Sequence, residues 1–261
     1  MKKTFSSKKS AFSLIELSIV LIIIGLLIAG ITGGASLIKS SELRSIMGEA
    51  RGYAVSVNSF FTQYDQYPGD ASVVVGTNST VIGDRNNKIE FVNAATTKFA
   101  EGIDAWLDLK DIGAIDLALT LSGTTAAPGP LVPVTNIPGS KIKGAGWVFD
   151  YNITSLQNVV VLTGTTDTWV SGKDLINAII PTATTDNQSA SIVSAPDALS
   201  IDSKIDDGKA NSGNVQAVNQ SSTAALACSD ANETTPAPAV YRVANGAKKT
   251  CALTFRVDVS S

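Results

Sequence analysis

Apolar residues dominate positions 12–38, after a short polar start. Residues 17–38 carry no charge, and a helix of that length rises about 33 Å, enough to cross a bilayer core of about 30 Å. From there to Tyr64 the apolar positions recur three or four apart with charged residues between them, which predicts an amphipathic helix. The sequence Tyr-Pro-Gly-Asp at residues 67–70 then ends the helix, because proline cannot continue it. The pattern therefore predicts one helix over residues 12–64, apolar all round in its first half and striped in its second.

Shorter patterns follow from residue 65 onward. Runs of β-branched and aromatic residues bounded by turn residues predict strands, and three-to-four spacing predicts helices, the last opened by Pro196-Asp197. Two stretches rich in Pro, Gly, Thr and Ser predict surface loops. The predicted strands are residues 88–92, 147–153 and 158–162, the helices are residues 100–112, 173–180 and 195–205, and the loops are residues 122–140 and 181–194.

Residues 240–243 and 250–257 flank Asn245-Gly246, and this arrangement predicts a β-hairpin. The elements together predict an α+β fold. Residues 65–261 are predicted to form one domain, since no linker divides them.

The charge distribution is uneven along the 261 residues. Net charge is −3, but the four lysines at positions 2, 3, 8 and 9 precede the apolar run, which leaves 16 basic and 23 acidic residues in the remainder. An acidic body of this kind disfavours nucleic acid and anionic lipid as partners. The basic start predicts an N-terminus in the cytoplasm and a body on the outer side of the membrane.

A specific motif joins the basic start to the apolar run. A leader ending in Ala11 precedes Phe-Ser-Leu-Ile-Glu-Leu at residues 12–17, and this order resembles the prepilin signature of type IV pilins and type II secretion pseudopilins. The resemblance implies that a prepilin peptidase removes residues 1–11 by cutting between Ala11 and Phe12, and that it methylates the new amine. Alanine replaces the glycine usual before the cut, and Gly33-Gly34 replaces a proline common in the helix. An ordinary signal anchor, or a signal cleaved near residue 35, is the alternative.

Glu16 is the acidic residue at the head of the apolar run. A charge in the middle of a membrane costs at least about 2.5 kcal/mol and calls for a partner. The resemblance implies that Glu16 pairs with the Phe12 amine of a neighbouring subunit and sets the register of assembly. Pairing within one subunit, and simple contact with lipid headgroups, are the alternatives.

Cys228 and Cys251 are the two cysteines of the chain. In an exported protein an even pair favours a disulfide, which here would contribute about 3 kcal/mol by the loop-entropy relation. Two free, buried thiols are the alternative for a cytosolic protein. The resemblance agrees with a disulfide, since a C-terminal disulfide loop is common in the pilin family.

The densest polar cluster contains Asp202, Asp206 and Asp207. Oxygen ligands of this kind suit calcium, and several major pseudopilins bind it, so calcium is one hypothesis. The favoured interpretation is a helix with solvated acids that ends at a glycine. No other cofactor is predicted.

The sequence offers no catalytic constellation. It contains no histidine and no phosphate-binding loop, and the carboxylates within residues 101–108 are expected on the surface of a helix whose Trp106 and Leu107 face the core. The chain is therefore predicted not to be an enzyme.

The resemblance implies a pilin-like fold, in which the striped half of the long N-terminal helix packs on an antiparallel sheet. It also implies a structural subunit of a type IV pilus or a type II secretion pseudopilus. Its partners would be further copies and other pilin-like subunits, the prepilin peptidase and an inner-membrane assembly platform. It would reside in the bacterial inner membrane with its body in the periplasm, and later in the filament. A minor or tip subunit that binds a ligand or secreted substrate is the alternative, and a membrane-anchored periplasmic enzyme is disfavoured.

Overall fold

A computed structural model describes most of the chain from residue 13 onward, in two compact units, residues 1–42 and 43–261. The predicted leader, the predicted helix at residues 173–180 and most of the two predicted loops lie outside the described residues. The described ranges are residues 13–72, 75–76, 83–91, 101–116, 131–135, 137–152, 155–165, 191–219, 227–230 and 239–259.

The predicted N-terminal helix is confirmed as α1, Leu14–Tyr64. In the first unit its large apolar side chains from Leu14 to Ile38 are between 45% and 89% exposed. By length and composition α1 could cross a membrane. The first unit buries little of this apolar surface itself. Such a surface is stable only when lipid or another protein covers it.

The part of α1 in the second unit, residues 43–64, has the predicted stripe. Its buried residues recur with helical spacing and join the core of the unit, and half-buried residues such as Tyr53 and Phe61 widen this stripe, whereas Arg44, Arg51 and Asn58 are exposed. The helix ends at Tyr64, just before the predicted breaker. The buried stripe is Leu43, Ile46, Ala50, Ser56, Val57 and Phe60.

Five strands form one antiparallel sheet in the described part of the chain. They are β1 (Gly146–Asn152), β2 (Gln157–Thr163), β3 (Val193–Ser194), β4 (Val215–Asn219) and β5 (Lys249–Arg256). The strand β5 pairs with β2, β3 and β4, and β1 pairs with β2 on the far side. Residues 250–255 of β5 are buried on both faces, as expected of a central strand.

Aromatic rings join the helices to this sheet. Tyr53 of α1 packs edge-on against Trp106 and Trp147, with ring centroids 4.9 Å and 5.5 Å away. Trp106 also packs on Phe149, and Trp147 on Phe255. Ring contacts of this geometry add to the stabilisation from apolar burial, so α1, β1 and β5 are held together around Tyr53.

Two further helices cover the sheet, α2 (Glu101–Asp111) and α3 (Ala195–Ile205), close to their predicted bounds. The Oγ of Ser194 accepts a hydrogen bond from the Asp197 amide and caps α3, as its predicted start requires. Gly69 has φ +82°, and a Cβ there would collide with the Glu101 carbonyl. Glycine therefore lets residues 67–70 lie against the start of α2.

The disulfide between Cys228 and Cys251 is confirmed. It ties residues 227–230 to the central strand β5, and both cysteines are fully buried.

The predicted C-terminal hairpin is wrong. Residues Val243–Asn245 form a 3₁₀ turn, and Tyr241 bridges to Ser229 instead of β5. The backbone hydrogen bonds of this segment connect it to the disulfide loop, since the Arg242 amide donates to the Cys228 carbonyl at 2.8 Å. Backbone contacts with the disulfide loop thus take the place of strand pairing between residues 240–243 and β5.

The predicted strand at residues 88–92 is also wrong over its described part, residues 88–91, which have no strand pairing. Side-chain oxygens accept from these amides instead: Asn158 from Ile89 at 2.7 Å, Asp150 from Phe91 at 3.2 Å and Glu101 from Glu90 at 3.1 Å. Ile89 and Phe91 are buried as the alternating pattern requires. Their backbone amides are satisfied without a neighbouring strand.

Candidate functional site

Glu16 and Ser13 form a capping box at the start of α1. The Glu16 carboxylate accepts a hydrogen bond from the Ser13 amide at 2.9 Å, and the Ser13 hydroxyl accepts one from the Ile15 amide at 3.4 Å. Both amides belong to the helix start, where no backbone carbonyl can accept from them. The negative charge of Glu16 is also favoured by the dipole at this end.

The capping box places the carboxylate on the first turn of α1, beside exposed Leu14, Ile15 and Leu17. The sequence analysis singled out Glu16 but missed its bond to Ser13, which the Ser-x-x-Glu spacing of residues 13–16 could have indicated. Ala11 and Phe12 lie outside the described residues, so cleavage between them and pairing of Glu16 with the Phe12 amine stay predictions.

The three aspartates of the calcium hypothesis do come together. Carboxylate oxygens of Asp202, Asp206 and Asp207 lie within 4.8 Å of one another. Asp206 accepts hydrogen bonds from the Asn214 and Val215 amides. Each carboxylate is thus used in ordering the loop after α3, as the Asp207 bonds to the Lys209 amide and the Ser212 hydroxyl also show.

Asp202 is not solvated as the favoured interpretation required. It is fully buried on α3 and accepts hydrogen bonds from the Tyr241 hydroxyl at 2.9 Å and the Gly208 amide at 3.3 Å. Burial raises the pKa of Asp202 to about 6, against the lowering effect of these two bonds. Burial and the nearby Asp202 charge raise the pKa of Tyr241, which therefore stays a donor.

A second acidic cluster was not anticipated from the sequence. Oxygens of Asp70, Asp84 and Glu101 lie within 4.8 Å of one another, with Asp84 exposed and the other two buried. Asp70 accepts hydrogen bonds from the Asn86 amide at 3.2 Å and the Asn87 amide at 2.8 Å. Burial raises the pKa of Asp70 to about 6, although these bonds lower it.

The carboxylates of α2 correct the sequence interpretation. Glu101, Asp104 and Asp108 are each 1% exposed, whereas surface positions were expected. The Asp108 carboxylate accepts from the Gly69 amide at 2.8 Å, so Asp108 holds the turn after α1 against α2. Trp106 and Leu107 are buried as predicted.

Comparison with known proteins bears on the N-terminal segment. Residues 6–32 match the prokaryotic N-terminal methylation motif. This motif is the signature of type IV pilins and pseudopilins, and the chain carries it. The motif indicates a pilin- or pseudopilin-type precursor, a structural class that assembles with other pilin subunits and is cut by a prepilin peptidase. No significant similarity relates the chain to a curated protein or to a solved structure.

The raised pKa of Asp70 predicts a pH-dependent stability. An unfolded aspartate titrates near pH 3.9, so between about pH 4 and 6 the folded state binds more protons at Asp70 than the unfolded state does. The contribution of Asp70 to the free energy of unfolding therefore falls as pH rises through that window. Replacing Asp70 by Asn removes this titration. The free energy of unfolding of Asp70→Asn, relative to the wild type, should therefore rise by on the order of 2 kcal/mol from about pH 4.5 to about pH 7.5.

Urea unfolding of the full chain in detergent micelles at the two pH values measures this difference. The matched control is Asp65→Asn, which changes an exposed aspartate five residues earlier. A difference between Asp70→Asn and the wild type that does not vary with pH would contradict the assignment.

Calcium at Asp202, Asp206 and Asp207 stays a prediction. If the cluster binds calcium, millimolar calcium should raise the melting temperature of the wild type but not of Asp206→Asn. A ligand that binds only the folded state stabilises that state. The same melting temperature with calcium and with a chelator would contradict the hypothesis.

Proposed function

We propose that the chain is the precursor of a structural subunit of a type IV pilus or a type II secretion pseudopilus. The peptidase cuts before Phe12, and the subunit polymerises through α1. The observation that carries the proposal is the methylation motif over residues 6–32, joined to an apolar helix whose side chains are exposed.

The exposed part of α1 supports polymerisation because such a surface is unstable in water. A bilayer can cover residues 14–38 in the free subunit, and neighbouring copies of α1 can cover them in a filament. Glycines at residues 25, 30, 33 and 34 leave open space around α1, and small residues let helices approach closely in an apolar medium. The lysines before residue 12 favour a cytoplasmic N-terminus and a periplasmic body.

The capping box supports a specific role for Glu16. Its carboxylate accepts a hydrogen bond from the Ser13 amide. Cleavage before Phe12 would create a positive amine on Phe12, the residue that precedes Ser13. An anion already fixed at the helix start can attract that amine in its own subunit or in the next one. Pairing with the amine would offset the cost of the Glu16 charge in lipid, and pairing between subunits would therefore favour assembly.

The body supports the exported, structural role. Its disulfide suits an oxidising compartment such as the periplasm. The second candidate, a minor or tip subunit that binds a ligand, is favoured by the large second unit, residues 43–261. Abundance in sheared filaments distinguishes the two, since a minor subunit is scarce there.

The first test is the N-terminus of the membrane-bound protein. Expressed with an active prepilin peptidase, the chain should begin at methylated Phe12 and keep α1 intact, as determined by mass spectrometry. Expressed with an inactive peptidase, it should keep its leader. A mature chain beginning near residue 36, or an uncut chain in both cases, would contradict the proposal.

The charge of Glu16 is predicted to be needed for assembly. Glu16→Gln keeps an oxygen that can accept from the Ser13 amide but removes the charge, so filament yield should fall at least about tenfold, the loss of one ionic contact of about 1.4 kcal/mol per subunit. Cleavage at Phe12 should persist. Immunoblots of sheared filaments and of membranes measure the two effects in cells that assemble the wild type.

Glu42→Gln is the matched control, because Glu42 is an exposed acid further along the same helix. Filament yield of Glu16→Gln equal to that of Glu42→Gln would show that the charge of Glu16 has no role in assembly.

A further inference from the structure

Ser13 is the N-cap of α1, and its own backbone is not part of the helix, which begins at Leu14. The Ser13 carbonyl accepts the first helical hydrogen bond, from the Leu17 amide at 3.2 Å. The Ser13 hydroxyl accepts from the Ile15 amide at 3.4 Å. A carbonyl that already serves the helix, together with a side chain that serves an amide of the first turn, defines an N-cap residue.

The amide of Ser13 is used in a way that stops the helix. In a helix that continued upstream, this amide would point along the helix axis toward the preceding turn. It donates instead to the Glu16 carboxylate at 2.9 Å, which completes the capping box. The helix therefore cannot extend through Ser13 toward the N-terminus without breaking this bond.

The sequence before Ser13 offers a second place for the helix to start. The predicted cut, between Ala11 and Phe12, comes just before Ser13, and Ser10 lies on the other side of that bond. Serine is among the residue types that cap helices well. A helix that started at Ser10 would place the Ala11–Phe12 bond in its first turn, whereas a helix that starts at Ser13 leaves this bond outside.

The position of the helix start bears on cleavage, because a peptidase needs extended backbone across the bond that it cuts. In a helix the backbone is wound and its side chains surround it, so proteolysis of folded chains occurs in loops or after local unfolding. The choice between the two helix starts therefore decides whether the Ala11–Phe12 bond is available to a peptidase.

We propose that Ser13 is a positioning residue for processing: by capping α1 it keeps the helix from extending over the Ala11–Phe12 bond and leaves that bond available to the prepilin peptidase. The inference rests on the proposed function, in which the chain is cut before Phe12. Ser13 acts through the helix start, so the rate of cleavage should follow the capping ability of residue 13 and not the size of its side chain.

The test measures the rate at which a purified prepilin peptidase cuts the full precursor in detergent micelles. Ser13→Ala removes the cap and should slow cleavage at least about threefold. The upper limit is about fivefold, the change in the ratio of the two helix starts that corresponds to the about 1 kcal/mol contributed by an N-cap. Ser13→Thr and Ser13→Val form a matched pair, because the two side chains have nearly the same shape but only threonine caps. Ser13→Thr should be cut at close to the wild-type rate, and Ser13→Val as slowly as Ser13→Ala.

The helix start is measured separately, by the Cα chemical shift of Phe12 in the uncut precursor labelled with ¹³C-phenylalanine. In Ser13→Ala and Ser13→Val this resonance should move toward helical values, and in Ser13→Thr it should stay at the wild-type position. Direct contact between Ser13 and the peptidase would change the rate without this movement. Ser18→Ala is the control, since the exposed Ser18 hydroxyl donates to the Ile15 carbonyl at 2.9 Å and does not cap the helix.

Slower cleavage of Ser13→Ala and Ser13→Val together with movement of the Phe12 resonance, while Ser13→Thr and Ser18→Ala behave as the wild type, would support the inference. Equal rates for Ser13→Thr and Ser13→Val, or slower cleavage with an unmoved Phe12 resonance, would overturn it and leave the proposed function intact. A wild-type chain that the peptidase does not cut would overturn the proposed function and this inference together.

Discussion

Tyr53 packs edge-on against Trp106 and Trp147, and this aromatic contact is the one on which the second unit depends. It connects α1 to α2 and to β1, and Trp147 continues the contact to Phe255 of the central strand. Glu49 lies one helical turn before Tyr53 and accepts from the Trp147 indole, so the same face of α1 joins the sheet by apolar and polar means. The position of the helix is thereby set by a few large side chains with defined geometry.

Elements with a strong local pattern were predictable from the sequence. The helix α1, its end before the Tyr-Pro-Gly-Asp sequence, and the helices α2 and α3 follow from apolar spacing and capping residues, which act within one or two turns. The strands β1 and β2 follow from short runs of β-branched residues. The errors occurred where a distant residue decided the outcome: Asn158 and Asp150 bind the amides of residues 89 and 91, and the disulfide draws residues 240–242 to the loop at Cys228.

The candidate site residues were likewise predictable only where residues close in sequence define them. Glu16 could be singled out because a motif of fixed spacing surrounds it, and its bond to Ser13 spans three residues. Asp70, Asp84 and Glu101 could not be grouped, because the chain brings them together only after α1 has ended and α2 has docked on the turn at Gly69. Burial of acids on α2 was missed for the same reason, since helical spacing cannot tell which polar groups a neighbouring loop will satisfy.

The order of the strands in the chain has a consequence for biogenesis. The central strand β5 comes after β1, β2, β3 and β4 in sequence, yet it contacts three of them. Contacts between distant residues form slowly, and the sheet lacks its central strand until the chain is available as far as residue 256. A polypeptide exported from its N-terminus would therefore cross unfolded, held at the bilayer by α1, and would close its sheet only after β5 and Cys251 had arrived. Translocation and folding of the body would then be separate events in time, and the intermediate would expose strand edges that chaperones or proteases of the compartment can recognise.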